Sequence, residues 1–219
     1  MVRRRAVLAT GAAVGVASLA GCLDFVTGSE ALELEAQRGT PSDATLSESG
    51  YGEHELGWEE FEEEVSFAGI EREIHARIWT AAYTGEVPIA GENVEAAVFA
   101  VLTVPSTEVL GRTLNPLDAM DDVEMIKEFA EDFEGEGDGL EEIEHVETRE
   151  TEILGEERDV EVFEAVTYHD GLRVELYLDV AIVDNAGDLV VVLGGFPQVV
   201  PEERENTDAL MASVEHPEE

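Results

Sequence analysis

"LRVELYLDVAIVDNAGDLVVVLGGFP", residues 172–197, decides the fold class. Leu172, Val174, Leu176, Leu178, Val180 and Ile182 alternate strictly, the period of a strand that buries one face. Asn185-Ala186-Gly187 then turns the chain. "LVVVLGGFP" follows, apolar on both faces as a strand covered on two sides must be. A hairpin of this kind predicts an antiparallel sheet.

Working outward, strands are predicted near 143–153 and 158–168, and Asp170-Gly171 is a tight hairpin signal leading into Leu172. In "REIHARIWTAAYTG", residues 72–85, Ile74, Ala76, Ile78 and Ala82 share one face and His75, Arg77, Trp79 and Tyr83 the other, which predicts a long half-buried strand. "NVEAAVFAVLTVP", residues 93–105, is apolar on both faces from Val94 to Val104 and suits the middle of a sheet. "NPLDAMDDVEMIKEFAEDF", residues 115–133, predicts a helix. Asn115 is its cap, Pro116 its first residue, and Met120, Val123, Ile126, Phe129 or Ala130, and Phe133 form its apolar stripe. Pro201 opens a last helix to about Ser213, with Glu202 and Glu203 at the positive end of its dipole.

Strands, a helix, four strands and a closing helix define an α+β expectation: one domain over 51–219, mainly antiparallel sheet with helices packed on it. The order of the second half, with "GGFP" before the closing helix, resembles the PsbP-type fold of the extrinsic photosystem proteins. That resemblance implies an architecture and no activity.

The chain opens "MVRRRAVLATGAAVGVASLAGC", residues 1–22: arginines, an uncharged run of small and apolar residues, then the single cysteine. This is the order of a secretory leader, and the run is short and Gly/Ala-rich for a membrane span. Arg4-Arg5-Ala6-Val7-Leu8 resembles the twin-arginine export signal, and Leu19-Ala20-Gly21-Cys22 resembles the lipobox of lipoproteins. The resemblance implies a signal peptide over 1–21, removed in export, and lipid on the sulfur of Cys22. One cysteine forms neither an internal disulfide nor a multi-thiolate metal site. Residues 22–50 are polar and poorly periodic and read as the lipidated N-terminus and a flexible tether.

The formal net charge is −40, from 52 acidic and 12 basic residues, and losing the three leader arginines makes it −43. Eleven of the basic residues are arginine and one, Lys127, is lysine. Such self-repulsion is tolerable in molar salt, where the Debye length is about 3 Å. The chain is still 44% hydrophobic, so it is not composed like a disordered acidic chain. This composition resembles that of proteins from salt-loving archaea, and with the leader it points to one of their uncharacterised lipoprotein families. Acidity of this size excludes nucleic acid as a partner, because phosphates would be repelled. It equally leaves membrane attachment to the lipid on Cys22.

Catalytic motifs do not stand out. There is no Gly-x-Ser-x-Gly elbow, phosphate-binding loop or dinucleotide fingerprint, and no two of His54, His75, His145, His169 and His216 share a helix at metal-binding spacing. "EGEGDG", residues 134–139, imitates the start of a calcium loop through Glu134, Glu136 and Asp138. Its twelfth position is His145, where a bidentate carboxylate should close the shell, so a flexible acidic turn is the plainer reading and no metal or cofactor is expected. Trp79 and Tyr83 share a strand face with His75 and Arg77, a candidate recognition surface, although cover by the last helix is the simpler expectation.

The expected function is therefore a non-enzymatic binding or assembly module, held by lipid at the outer face of the cytoplasmic membrane and meeting an extracytoplasmic protein partner. The alternatives are a surface hydrolase using a pair of carboxylates, or a small-solute-binding lipoprotein.

Overall fold

The computed structural model describes residues 31–67, 70–89, 91–109, 112–114, 126–127, 138–169 and 172–218. The elements in chain order are β1 (Leu32–Glu35), β2 (Thr40–Pro41), α1 (Asp43–Ser49), β3 (Tyr51–Phe67), β4 (Ile70–Ile89), β5 (Glu92–Pro105), β6 (Thr107–Val109) and β7 (Arg112–Leu114). They continue with β8 (Asp138–Ile153), β9 (Glu156–His169), β10 (Leu172–Asn185), β11 (Asp188–Pro197), α2 (Glu203–Ala212) and β12 (Val214–Glu215). The main sheet runs β1-β4-β5-β11-β10-β9-β8, with β3 also paired to β4. The described residues divide into two compact units, those within 35–60 and 77–218, and those within 31–34 and 61–76.

In the larger unit the hairpin of 172–197 is built as its sequence predicts. β10 pairs antiparallel with β11 from Leu176↔Pro197 to Asn185↔Asp188. Ala186 (φ 51°) and Gly187 (φ 95°) make the two-residue turn. Leu154 (φ 54°) and Gly155 (φ 76°) repeat that geometry between β8 and β9. Positive φ at both central residues matches the right-handed twist of the strands they join.

β11 lies between β10 and β5, with Val192 opposite Ala181 on one side and Val101 on the other. One sheet face carries Trp79, Ala81, Tyr83, Phe99, Val101, Ala181, Val183, Val190 and Val192, joined in a single core by Leu210 and Met211 of α2. The opposite face is also buried, at Ala82, Ala100, Leu102, Val104, Leu178, Val180, Val191 and Leu193. Cover on both faces explains why β5 and β11 are apolar throughout.

Gly194 is required by close approach. A Cβ there would sit 2.3 Å from Thr207 Cγ2, so α2 presses onto β11 at that point. The two glycines of "GGFP" thus serve packing. Gly85 has the same role under the Tyr51 ring, where a Cβ would lie 2.9 Å from Cε2.

The α+β expectation, and the PsbP-type arrangement offered with it, is corrected here. The molecule is sheet-dominated, and the two helices described from end to end, α1 and α2, are short. The physical reason lies largely in residues 51–67, which form a long strand although they alternate poorly. Tyr51 is buried and Trp58 half-buried, while Glu53, Glu55, Glu59, Glu60 and Glu62 face solvent. Ladder hydrogen bonds satisfy such a strand without an apolar face for periodicity to reveal.

The helix expected over 115–133 lies outside the described residues apart from Ile126 and Lys127, which are helical, with Ile126 fully buried. Asp170-Gly171 also lies outside them.

Part of the segment expected as a tether over 22–50 is structured, at residues 32–35, 40–41 and 43–49. β2 pairs with β12, Thr40↔Glu215 and Pro41↔Val214. Ser42 caps α1 by accepting from the Thr45 N–H, and Gly50 closes it at φ 75°. Leu46 then enters the core. A polar segment can still be structured when its caps and a few apolar side chains tie it down.

β8, the last strand on the β9 side among the described residues, breaks register three times between Asp138 and Glu147 and exposes Glu141, Glu144, Glu147 and Glu150. Bulges and charge disfavour strand addition there.

Candidate functional site

Arg77 and Trp79, two residues apart on β4, project to one side. The Trp79 ring meets Trp58 of β3 edge to face, with centroids 5.1 Å apart. The Trp79 indole N–H donates to the Gly39 carbonyl at 3.1 Å. The Arg77 guanidinium lies 4.9 Å over the Trp58 ring and donates to Glu35 Oε2 at 3.0 Å, while Arg38 lies 4.8 Å over Trp79. Arginine, indole, indole and arginine form one ladder. Trp79 is its buried root and Trp58, Arg77 and Arg38 its accessible side. Each cation–π contact is worth about 0.5–1 kcal/mol at such partly exposed positions.

The expected recognition face is thereby divided. Trp79 and Tyr83 belong to the core, at 5% and 4% exposure, and only Arg77 of that larger-unit set reaches solvent. Burial, followed by the nearby charges of Glu218, Glu53 and Asp43, pushes the Tyr83 phenol up to about 12. Trp58 joins this face from β3, a strand whose sequence lacks the alternation that would have revealed it.

His75 lies in the smaller unit, where its Nδ1 is 2.9 Å from Glu33 Oε1 and its Nε2 is 3.5 Å from Glu73 Oε1. Desolvation disfavours its charged form, but the nearby carboxylates of Glu73 and Glu33 outweigh it and raise the imidazole above 6.5.

A second cluster lies beneath α2. Asp179 of β10 is fully buried on the face that alternation assigns to polar side chains. Arg149 of β8 donates to its Oδ2 at 2.7 Å and reaches Asp208 Oδ1 of α2 at 2.6 Å, while Arg204 of α2 stands 3.5 Å from Asp179 Oδ1. Burial raises the Asp179 carboxyl above the usual carboxylate range, against the lowering pull of Arg149 and Arg204. Asp179 and Asp208 are acids brought together from distant segments, as a carboxylate hydrolase would need. Arg149 stands between them, which makes the group a clamp for α2. Tyr51 similarly donates to buried Glu203 Oε1 at 3.0 Å, and desolvation, then the Glu203 charge, raises its phenol.

Glu134 and Glu136 lie outside the described residues, as do Arg4, Arg5, Leu19, Ala20, Gly21 and Cys22; Asp138 begins β8.

The sequence profile of a protein family described as a domain of unknown function, DUF6517, matches residues 38–215, and the chain belongs to that family. The matched span begins inside the segment expected to be tether. No curated protein matches the chain.

Proposed function

We propose that this member of the DUF6517 family is a lipid-anchored, non-enzymatic binding or assembly module of a salt-loving organism. It is held at the outer face of the cytoplasmic membrane through lipid on Cys22. The observation that carries the binding reading is the Arg77–Trp58–Trp79–Arg38 ladder. Tryptophan and arginine are the residue types that dominate binding energy in protein interfaces, and here a buried indole holds a half-buried one in place. On a chain of net charge −40 the neighbouring Arg38 and Arg77 favour an acidic protein segment as partner. The leader and Cys22 support the address.

Crosslinking on intact cells in native salt, followed by tagged purification, tests this reading. One near-stoichiometric acidic protein is expected with the wild type and is lost with Trp58→Ala and Arg77→Ala, while Cys22→Ser releases the domain from the membrane fraction. Recovery of the same partner by both ladder variants would overturn the binding surface, and a membrane-bound Cys22→Ser protein would overturn the anchor.

A further inference from the structure

Glu73 and His75 are two residues apart on β4 and point to the same side, and Glu62 on β3 joins them. One ligand atom from each, two carboxylate oxygens and an imidazole nitrogen, lies within 4.8 Å of the others. Both glutamates are exposed and His75 is half-buried. The three come from sequence positions that no linear spacing motif connects.

The imidazole is what separates this group from an ordinary patch of acids. Its Nδ1 faces Glu33 Oε1 at 2.9 Å, which fixes the ring and turns Nε2 toward Glu73. That Nε2 is enclosed and has no hydrogen-bond partner, with Glu73 Oε1 at 3.5 Å beyond good hydrogen-bond length. A carboxylate on one ring nitrogen, with the other nitrogen left open toward oxygen donors, is how metal-binding histidines are commonly oriented. Glu33, Glu62 and Glu73 also bring three negative charges to one imidazole, a concentration that a divalent cation relieves.

We propose that Glu62, Glu73 and His75 bind one divalent first-row transition ion, with Glu33 as the residue that positions the imidazole. The donor set selects the ion. Nitrogen with two carboxylates suits zinc and its neighbours, whereas calcium and magnesium take oxygen alone. Bonds of about 2.0–2.2 Å to zinc place neighbouring ligand atoms about 3.4 Å apart. Closing the trio therefore needs only rotamer changes of two exposed glutamates. Three protein ligands leave a coordination position for water or for a group from a second molecule. The site uses none of the ladder residues, so it stands or falls separately from the binding surface proposed above.

The test is calorimetric titration of zinc chloride into the metal-stripped full chain in molar sodium chloride, with the His75 ring nitrogens followed by NMR. The expected result is one site of micromolar or tighter affinity that shifts the His75 Nε2 resonance. His75→Gln and Glu73→Gln should each weaken it at least about tenfold, and Glu33→Gln about ten- to a hundredfold. Glu62→Gln alters an exposed side chain, so it keeps the test decisive should His75→Gln fail to fold, and circular dichroism identifies that case. No heat with zinc, or a zinc site that Glu62→Gln and His75→Gln leave unchanged, would overturn the proposal.

Discussion

Arg149 Nη2 lies 2.7 Å from Asp179 Oδ2, which ties β8 to β10, and the same nitrogen reaches 2.6 Å to Asp208, which ties both strands to α2. Removing the guanidinium leaves Asp179 buried with Arg204 alone at 3.5 Å. Breaking a buried pair from one side costs about 3–5 kcal/mol, so Arg149→Ala should lower the unfolding free energy by that amount. Chemical denaturation measures it; a loss near that of an ordinary surface substitution would show that the clamp carries no load.

The same clamp has a signed pH dependence. Burial raises the folded Asp179 carboxyl above its ordinary 3.8, so the folded state holds that proton more tightly than the unfolded chain does. Stability from this group is full below 3.8 and is lost as pH rises through the raised value. Asp179→Asn carries no such proton. The unfolding free energy of wild type minus variant should therefore fall as pH rises from below 3.8 through the acid range. A difference that grows over that window would mean that the two arginines outweigh desolvation.

Gly194 and Thr207 should couple. Gly194→Ala drives a methyl to 2.3 Å from Thr207 Cγ2 and should cost about 1–3 kcal/mol by overpacking. Thr207→Ser removes that methyl and keeps the hydroxyl that donates to the Glu203 carbonyl at 3.2 Å. In the double variant most of the loss should return, a coupling of about 0.5–3 kcal/mol in a double-mutant cycle. Additive losses would place the strain elsewhere.

Tyr83 should ionise late. Its phenol is pushed from 10.0 up to about 12, so its contribution to stability is present below 10.0 and is lost as pH rises through about 12. Ultraviolet titration of wild type against Tyr83→Phe should lose one late-titrating phenol. Loss of a phenol that titrates near 10 would show that the ring is more accessible than its 4% exposure implies.

Salt should stabilise the fold. With a net charge of −40, self-repulsion acts on the compact state most strongly at low ionic strength. Denaturation midpoints should rise from low to molar sodium chloride as the Debye length falls to about 3 Å. Unchanged midpoints would contradict solvent adaptation as the reason for the acidity.

Where the chain alternates or is apolar on both faces, the sequence was readable. The strands at 72–85, 93–105 and 172–197 and the turn at Asn185-Ala186-Gly187 are all present. Even so, alternation misjudged individual side chains. Leu172 is 71% exposed although it belongs to the apolar set, and Asp179 is fully buried although it belongs to the polar one. Period two assigns residues to a face; it does not say how far the cover over that face extends. The strand of 51–67 was not legible because glutamates fill positions that backbone pairing alone holds in place. Trp58 consequently lacked the neighbours that give it meaning. The ladder, the Arg149 clamp and the Glu62–Glu73–His75 trio share this property, since each joins side chains from two or three elements.

What the sequence by itself determined was local: strand periods, turn residues with positive φ, the acidic surface and the expectation of a lipidated Cys22. These depend on a residue and its near neighbours, or on composition. Tertiary structure alone decided that Trp79 and Tyr83 go to the core while Trp58 stays accessible. It alone decided that Asp179 is enclosed by two arginines, and that His75 faces Glu62 and Glu73. Burial and close approach of charged groups are set by strand order and by what packs on each face. Those are relations between distant segments, to which periodicity within any one segment is blind.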